Sequence, residues 1–590
     1  MKTQTARILF PFLAIGILTI SGCALPQMVK KSKEQNLTVE PNPLEVHADT
    51  VRFTMAVNLP VKMLKPKKAY TVNTYYRYGT QEIQLESVEF RSDDFANSDT
   101  QEPRVSQEYS FRYQDGMERG NIEIKGVASN PKNGNFLESD RIGVADGIIT
   151  TSRLVQPSYA AAYADHGYND QEELIPTNVE FYFDQGRSVF KKSEIESDKG
   201  AQFAAFIAEK NVTRTVTITG THSPEGKDAI NEELAGERAA AIEKWYREQM
   251  DKYDYQDQAN EIRFIQKPII KDWNQLKTAL ASYDGISSSE KSEFNSIING
   301  TGSFEQKEKQ LQKLSNYKKV FDDVYPQLRT AKTEVLTVKP KKSPEEIASL
   351  ALSNPSALTV PELAYAAAKN PSLEEKKSIY EAAAKKDDTW MVHNNLGAVH
   401  LEMAIQANAR NRRNLLSTAL NHFQISNQKN ANVEAQANMG MVMAMQENLW
   451  GAPAALTKAL SMNPGNDVRQ GISGAKGYVE IRVGRYDLAI SSLNRATNGA
   501  TDQFNKSLVQ LLRKDYRNAQ ATIEAALNSD SDAIAYYLAA VAAARQNNEN
   551  KVVEHLRKAV GADADLKAKA VNDLEFRQFS GNQAFIDLMN

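Results

Sequence analysis

At 590 residues the chain is too long for one hydrophobic core, which rarely grows beyond about 250 residues, so several domains are expected. Its 71 Lys and Arg against 74 Asp and Glu leave a formal charge of −3, a balance that offers no basic face to nucleic acid. One cysteine in the whole chain excludes an internal disulfide framework, so stability must come from packed cores.

At the start, Lys2 and Arg7 precede the apolar run ILFPFLAIGILTI, too short to span a bilayer comfortably, and Ile20-Ser21-Gly22-Cys23 follows. Residues 1–22 read as a secretory signal. The sequence ISGC resembles the lipobox of bacterial lipoproteins. That resemblance implies cleavage before Cys23, acyl chains on Cys23 and anchoring in membrane lipid without a membrane span. Ala24, where inner-membrane lipoproteins commonly carry Asp, implies the outer membrane. The basic tail ALPQMVKKSKEQN points to its periplasmic side. Residues 23–41 are expected to be a lipidated tether.

From 42 to 156 the pattern has period two. Val51, Phe53, Met55 and Val57 alternate with other residues, and YTVNTYYRY, IQLESVEF, VSQEYSFRY, NIEIKGV and GIITTSRLV follow. Six or more short strands predict an all-β sandwich, immunoglobulin-like in architecture only, since the antibody cysteine pair is missing. Residues 157–178, PSYAAAYADHGYNDQEELIPTN, show no sustained periodicity and read as a linker.

Between 179 and 338 strand and helix patterns alternate: VEFYFDQ, a helical stretch, TRTVTITG, a long Ala-rich helix and NEIRFIQK, with KTEVLTV as a closing strand. This predicts a sheet with helices packed against it. About 60 helix-patterned residues, roughly 271–331, read as an insertion. The Phe183-Asp184 pair, the ITGTHSPEG loop with Gly220 and Gly226, and the helix motif Asn231, Leu234, Arg238, Ala239 are similar to the OmpA-like peptidoglycan-binding domain. The resemblance implies a pocket for the diaminopimelate side chain. Arg238 would take its carboxylate with help from the helix start near Asn231, and the ammonium side would face Ser223, where the family carries Asp, supported by Glu225. No acid lies three or four residues from Arg238, so a favourable pair on its own helix does not account for it.

Residues 339–361, beginning KPKKSPEE, read as a second linker. Thereafter small and large residues recur. Gly440, Ala452, Leu456 and Ala459 are echoed by Gly477, Ala489, Leu493 and Ala496, by Ser507, Ala519, Ile523 and Ala526, and by Ala540, Val552, Leu556 and Ala559. Upstream, Gly397, Ala419 and Phe423 form a longer unit. This resembles the tetratricopeptide repeat (TPR), which implies an all-α solenoid over 362–590 with a groove for a protein partner and a terminal cap.

No HExxH, GxSxG, Walker or dinucleotide motif occurs, and the SxxK patterns lack their companion KTG and SDN sequences. His393 and His400, two turns apart, read as a shared helix face. No catalytic residue, metal or cofactor is expected. The expected function is a non-enzymatic envelope tether touching peptidoglycan through the middle domain and a protein through the repeats. The alternative is an assembly or secretion factor whose middle domain is only structural.

Overall fold

A computed structural model describes residues 24–255, 260–269, 271–527 and 532–590; the lipidation candidate Cys23 lies outside them. Two compact units emerge. One joins the residues up to Gly167 with Ile347–Asn590, and the other is Tyr168–Glu346.

The N-terminal region is β-rich. Strand β3 (Thr50–Asn58) pairs with β1 (Asn36–Glu40) and β2 (Leu44–His47) on one side and β7 (Arg104–Arg112) on the other; β10 (Ile148–Ile149) pairs with β2 in parallel. A second sheet runs β5 (Gln81–Gln84), β4 (Ala69–Tyr78), β8 (Asn121–Ser129), β9 (Phe136–Asp146), with β6 (Val88–Arg91) also on β4. Both sheets bury alternate residues in one core, Val51, Phe53, Met55 and Val57 of β3 against Tyr70, Val72 and Tyr76 of β4 and Ile122 and Ile124 of β8.

Two boundaries differ from expectation. Residues 23–41 are not an extended tether throughout, because helix α1 (Ala24–Lys31) buries Met28 in the sandwich core and β1 lies within the first sheet. The expected final strand stops after Ile149. A 3₁₀ turn over Thr151–Leu154 follows, with the Ser152 hydroxyl donating to the Val46 carbonyl and Leu154 entering the core of the helical region.

The second unit has a four-stranded sheet, ordered β11 (Leu174–Tyr182), β14 (Thr330–Val338), β12 (Thr213–Gly220), β13 (Arg263–Pro268). β12 and β13 are parallel; β14 runs antiparallel to both neighbours and lies inside the sheet. A one-turn helix α2 (Lys192–Ile195) precedes α3 (Asp198–Ala208) and α4 (Asp228–Lys252). Phe203, Ile207, Ile242, Trp245 and Tyr246 of α3 and α4 pack on Phe181, Val216, Ile218 and Val335. The insertion comprises α5 (Asn274–Ser282), α6 (Ser288–Asn299), α7 (Phe304–Leu311) and α8 (Tyr317–Asp323), with a separate core around Leu280, Phe294, Leu311 and Tyr325.

The C-terminal region is all-helical. Residues 339–361, expected as a linker, include α9 (Pro344–Ser353). Six hairpins follow: α10 (Val360–Lys369) with α11 (Leu373–Lys386), α12 (Trp390–Gln406) with α13 (Ala409–Lys429), α14 (Val433–Met445) with α15 (Gly451–Ser461), α16 (Asn466–Arg482) with α17 (Tyr486–Leu493), α18 (Ala500–Leu512) with α19 (Tyr516–Leu527), and α20 (Ala533–Ala544) with α21 (Glu549–Ala562). α22 (Asp565–Asn572) and α23 (Gln583–Met589) close the array. The recurring small residues sit where paired helices cross. A Cβ on Gly397 would lie 2.7 Å from Phe423, one on Gly440 2.7 Å from Leu456 and one on Gly477 2.6 Å from Leu493.

Sandwich and solenoid share buried and part-buried polar contacts. Arg545 donates from Nε to Glu575 Oε2 at 2.5 Å and from Nη2 to Glu45 Oε1 at 3.0 Å; Thr151 donates to Glu575 at 2.6 Å. The His47 ring meets Glu45 at 3.2 Å and Tyr486 at 2.7 Å. The hydrogen bond from His47, with Arg545 beside it, pulls the Glu45 carboxyl down to about 2.

Candidate functional site

The first helices of successive hairpins line a groove, and a segment of the same chain lies in it. Residues 155–166, read from sequence as mostly linker, run past these helices in the opposite order to the repeats. Gln156 is held by α18, Ala162 by α14 and α12, and Ala164 by α12. We call this segment the strap.

Three asparagines grip its backbone from both sides. Asn505 Oδ1 accepts the Gln156 amide at 2.9 Å while its Nδ2 donates to the Gln156 carbonyl at 2.7 Å. Asn438 does the same to Ala162 at 2.8 and 2.7 Å, and Asn395 to Ala164 at 2.7 and 3.0 Å. Asn394 adds a second donor to the Ala162 carbonyl at 3.0 Å and accepts from Asn438 at 3.2 Å, which fixes the amide orientations. All four asparagines are completely buried. A side-chain amide carries one acceptor and paired donors, so it satisfies a peptide N–H and C=O together without reading the side chain. The gripped residues are even-numbered, as an extended chain with a repeat of two requires.

Side chains shape the rest of the contact. Ala160 lies where α16 carries Gly471, whose added Cβ would sit 3.2 Å from the Ala160 Cβ, and the Ser158 hydroxyl would be 2.8 Å from a Cβ on Gly474. That hydroxyl donates to Asp502 at 2.7 Å. Tyr159 stands edge-on to Tyr478 with centroids 5.5 Å apart, and the Tyr163 hydroxyl donates to Glu402 at 2.8 Å with Lys376 over its ring. Burial pushes both strap phenols above their ordinary pKa, so they remain neutral donors.

The clamp residues had a signal that went unread. Asn395, Asn438 and Asn505 each stand two residues before the small residue that opens a repeat, Gly397, Gly440 and Ser507. Their side chains thus recur on one face of the first helices α12, α14 and α18, with Ala475 at the corresponding place in α16.

The residues named from the OmpA-like resemblance lie together in the second unit, around the loop from β12 to α4. Arg238 is 1% exposed, and its donors go to three backbone carbonyls: Nε to Arg187 at 3.0 Å, Nη1 to Thr221 at 2.6 Å and Nη2 to Asp184 at 3.2 Å. Burial, with Arg329 nearby, pushes Arg238 down to about 10, leaving it charged at neutral pH. Arg238 thus braces the loops carrying Asp184, Arg187 and Thr221. Asn231 is buried and donates to the Glu225 carbonyl at 3.0 Å.

Ser223 and Glu225, expected to face an ammonium, face Arg329 instead. The Ser223 hydroxyl donates to Glu225 at 2.6 Å, and Arg329 donates to Ser223 at 2.9 Å and to Glu225 at 2.9 Å. From the insertion, Glu305 accepts the Asp228 amide at the start of α4 at 2.9 Å, and Phe304 packs edge-on against His222. Arg329 and Glu305, at the end of and within the insertion, thus contact the loop after β12 and the start of α4, a role the insertion's sequence did not suggest. His222 holds its proton on Nδ1 toward the Ser223 carbonyl and accepts the Lys271 amide at Nε2; burial lowers its pKa.

His393 and His400 of α12 meet His422 of α13. The Nδ1 atoms of His393 and His422 are 3.0 Å apart, and the His400 and His422 rings lie within 7° of parallel. Among the described residues no three metal-ligating side chains converge to hold an ion.

No protein-family model matches the sequence, and no curated relative matches it. Solved structures that are similar include a TPR protein with an unusual peptide-binding site, YrrB, at 21% identity over 32% of this chain and 97% of that chain, TM-score 0.26. Pseudomonas aeruginosa pilF is similar at 14% identity over 41% of this chain and 100% of that chain, TM-score 0.30, and MamA at 15% over 30% and 98%, TM-score 0.25. At these TM-scores the repeat architecture rests on the hairpins themselves.

Proposed function

We propose that the chain is a non-enzymatic assembly or scaffold factor, held at the outer membrane by acyl chains on Cys23, in which the solenoid groove binds extended polypeptide and the middle domain is structural. The observation that carries this reading is the row of three buried asparagines, each satisfying both backbone groups of one residue in an extended segment. Such a surface reads main chain and suits protein ligands. The middle domain supports the same reading, since Arg238 braces three carbonyls and Arg329 occupies the side of Ser223 and Glu225.

A second reading keeps the peptidoglycan tether. Oε2 of Glu225 is buried without a hydrogen-bond partner, an acceptor that an ammonium group would satisfy.

The test has two arms, both on the full chain in detergent micelles. Sedimentation with purified diaminopimelate-type sacculi is expected to leave wild type and Glu225→Gln equally in the supernatant. Selection from displayed random peptides on the full chain carrying Ala160→Arg and Ala162→Arg, which clears residues 155–166 from the groove, is expected to enrich ligands that no longer bind once Asn395→Ala and Asn438→Ala are added. Sacculus binding that disappears in Glu225→Gln, with no enriched peptide, would return the tether reading.

A further inference from the structure

Resting on the reading that the groove receives peptides, we infer that residues 155–166 are its resident ligand. Its ligand in trans is an extended peptide of the same pattern, uncharged across the positions of 156–164, with Ala, Ser or Gly at alternate positions and tyrosines four residues apart.

The contacts define that pattern one by one. Recognition of main chain by Asn395, Asn438 and Asn505 requires an extended backbone and tolerates many sequences. The size filter comes from α16, where the missing Cβ atoms of Gly471 and Gly474 make room for Ala160 and Ser158: an added Cβ would lie 3.2 Å from the Ala160 Cβ and 2.8 Å from the Ser158 hydroxyl. Leucine at either place would force the helix and the peptide apart, and overpacking of this kind destabilises. Asp502, itself buried, accepts from the Ser158 hydroxyl and would repel a carboxylate there. Tyr478 and the Glu402–Lys376 pair supply the two tyrosine seats.

Tethering decides when the groove is available. The strap continues directly from Leu154 of the sandwich and is presented to the groove at an effective concentration on the order of millimolar, as for any short linker. A free peptide with the same contacts, at micromolar concentration, loses that competition. The groove is therefore closed while the strap is seated and takes a partner when the strap is out.

The test uses a fluorescent peptide of sequence VQPSYAAAYADH, residues 155–166, titrated into the full chain in detergent micelles. Wild type is expected to show no binding below roughly 100 μM. Ala160→Arg with Ala162→Arg, which removes the strap from the groove by bulk and charge, is expected to bind at least about tenfold tighter. Tyr159→Ala with Tyr163→Ala, which loosens the strap without adding bulk, should lie between them. Binding should vanish when Asn395→Ala and Asn438→Ala are added, and a peptide with leucine at the positions of Ser158 and Ala160 should not bind.

The inference is overturned if neither variant, folded by circular dichroism, binds tighter than wild type, or if the leucine peptide binds equally. Peptides enriched by display that fail to compete with the strap peptide would also overturn it, while leaving the scaffold reading in place. Strap-peptide binding without any enriched partner would do the reverse.

Discussion

Asn438 holds both backbone groups of Ala162, with Oδ1 2.8 Å from the amide nitrogen and Nδ2 2.7 Å from the carbonyl oxygen, across 276 residues of sequence. The strap and the solenoid are thereby one structure. Every further consequence for binding begins from that grip.

Asn438→Ala removes the acceptor of the Ala162 amide and one of the two donors to its carbonyl, leaving Asn394 on the carbonyl. Each buried backbone group left unsatisfied costs about 1–3 kcal/mol. The strap is expected to detach locally while the hairpins stay folded. Chymotrypsin should then cleave after Tyr159 or Tyr163 in Asn438→Ala under conditions where wild type stays intact, with circular dichroism unchanged.

Arg238→Ala tests the bracing role assigned in the second unit. Three carbonyls lose a charged donor, each such bond contributing about 1.5–3 kcal/mol. The second unit should unfold at markedly lower denaturant concentration. A binding residue on the surface would change stability by only about 0.5 kcal/mol, and that smaller result would reinstate Arg238 as a ligand contact.

Arg545→Gln leaves the buried Glu575 carboxylate without its ion pair, a loss of about 3–5 kcal/mol for broken buried pairs. The sandwich and the helical region should then separate at lower urea concentration. Replacing Arg545 and Glu575 together by leucine should recover most of the loss, since the buried Glu575 charge goes with its partner and Glu45 keeps its contact with His47.

The histidine stack predicts acid sensitivity. Burial first, and then His393 and His400, pull His422 down to about 4; burial and Lys377 lower His400. Asp388 and Lys429 complete the charged surroundings on the His393 side, with Glu381 opposite. Folding favours the neutral rings, so their stabilisation is complete above the ordinary value near 6.5 and fades as pH falls toward 4. The melting temperature of the helical region should drop between pH 7 and 5, and His422→Gln should flatten that drop.

The hairpins were legible because a repeat writes its small residues at every crossing, as Gly397, Gly440 and Gly477 do. The clamps were written beside them and missed, since asparagine within a helix has no apolar period to mark it. Still less legible was the strap. PSYAAAYA carries no pattern of its own, and its partners stand more than 200 residues away, so nothing local separates it from a linker. Arg238 stood out because no acid lies three or four residues from it on its helix, but its partners are main-chain carbonyls of Asp184, Arg187 and Thr221, which residue type cannot reveal. Insertion and loop found each other for the same non-local reason, through Arg329 and Glu305.

Hydrogen exchange of the Ala162 and Ala164 amides in the wild-type chain tests the central claim most directly. Both donate to buried asparagine oxygens, so they should exchange as slowly as amides inside the flanking helices, and much faster in Asn395→Ala with Asn438→Ala. Exchange in wild type at the rate of an unstructured peptide would show that the groove does not hold the strap, and would contradict the account.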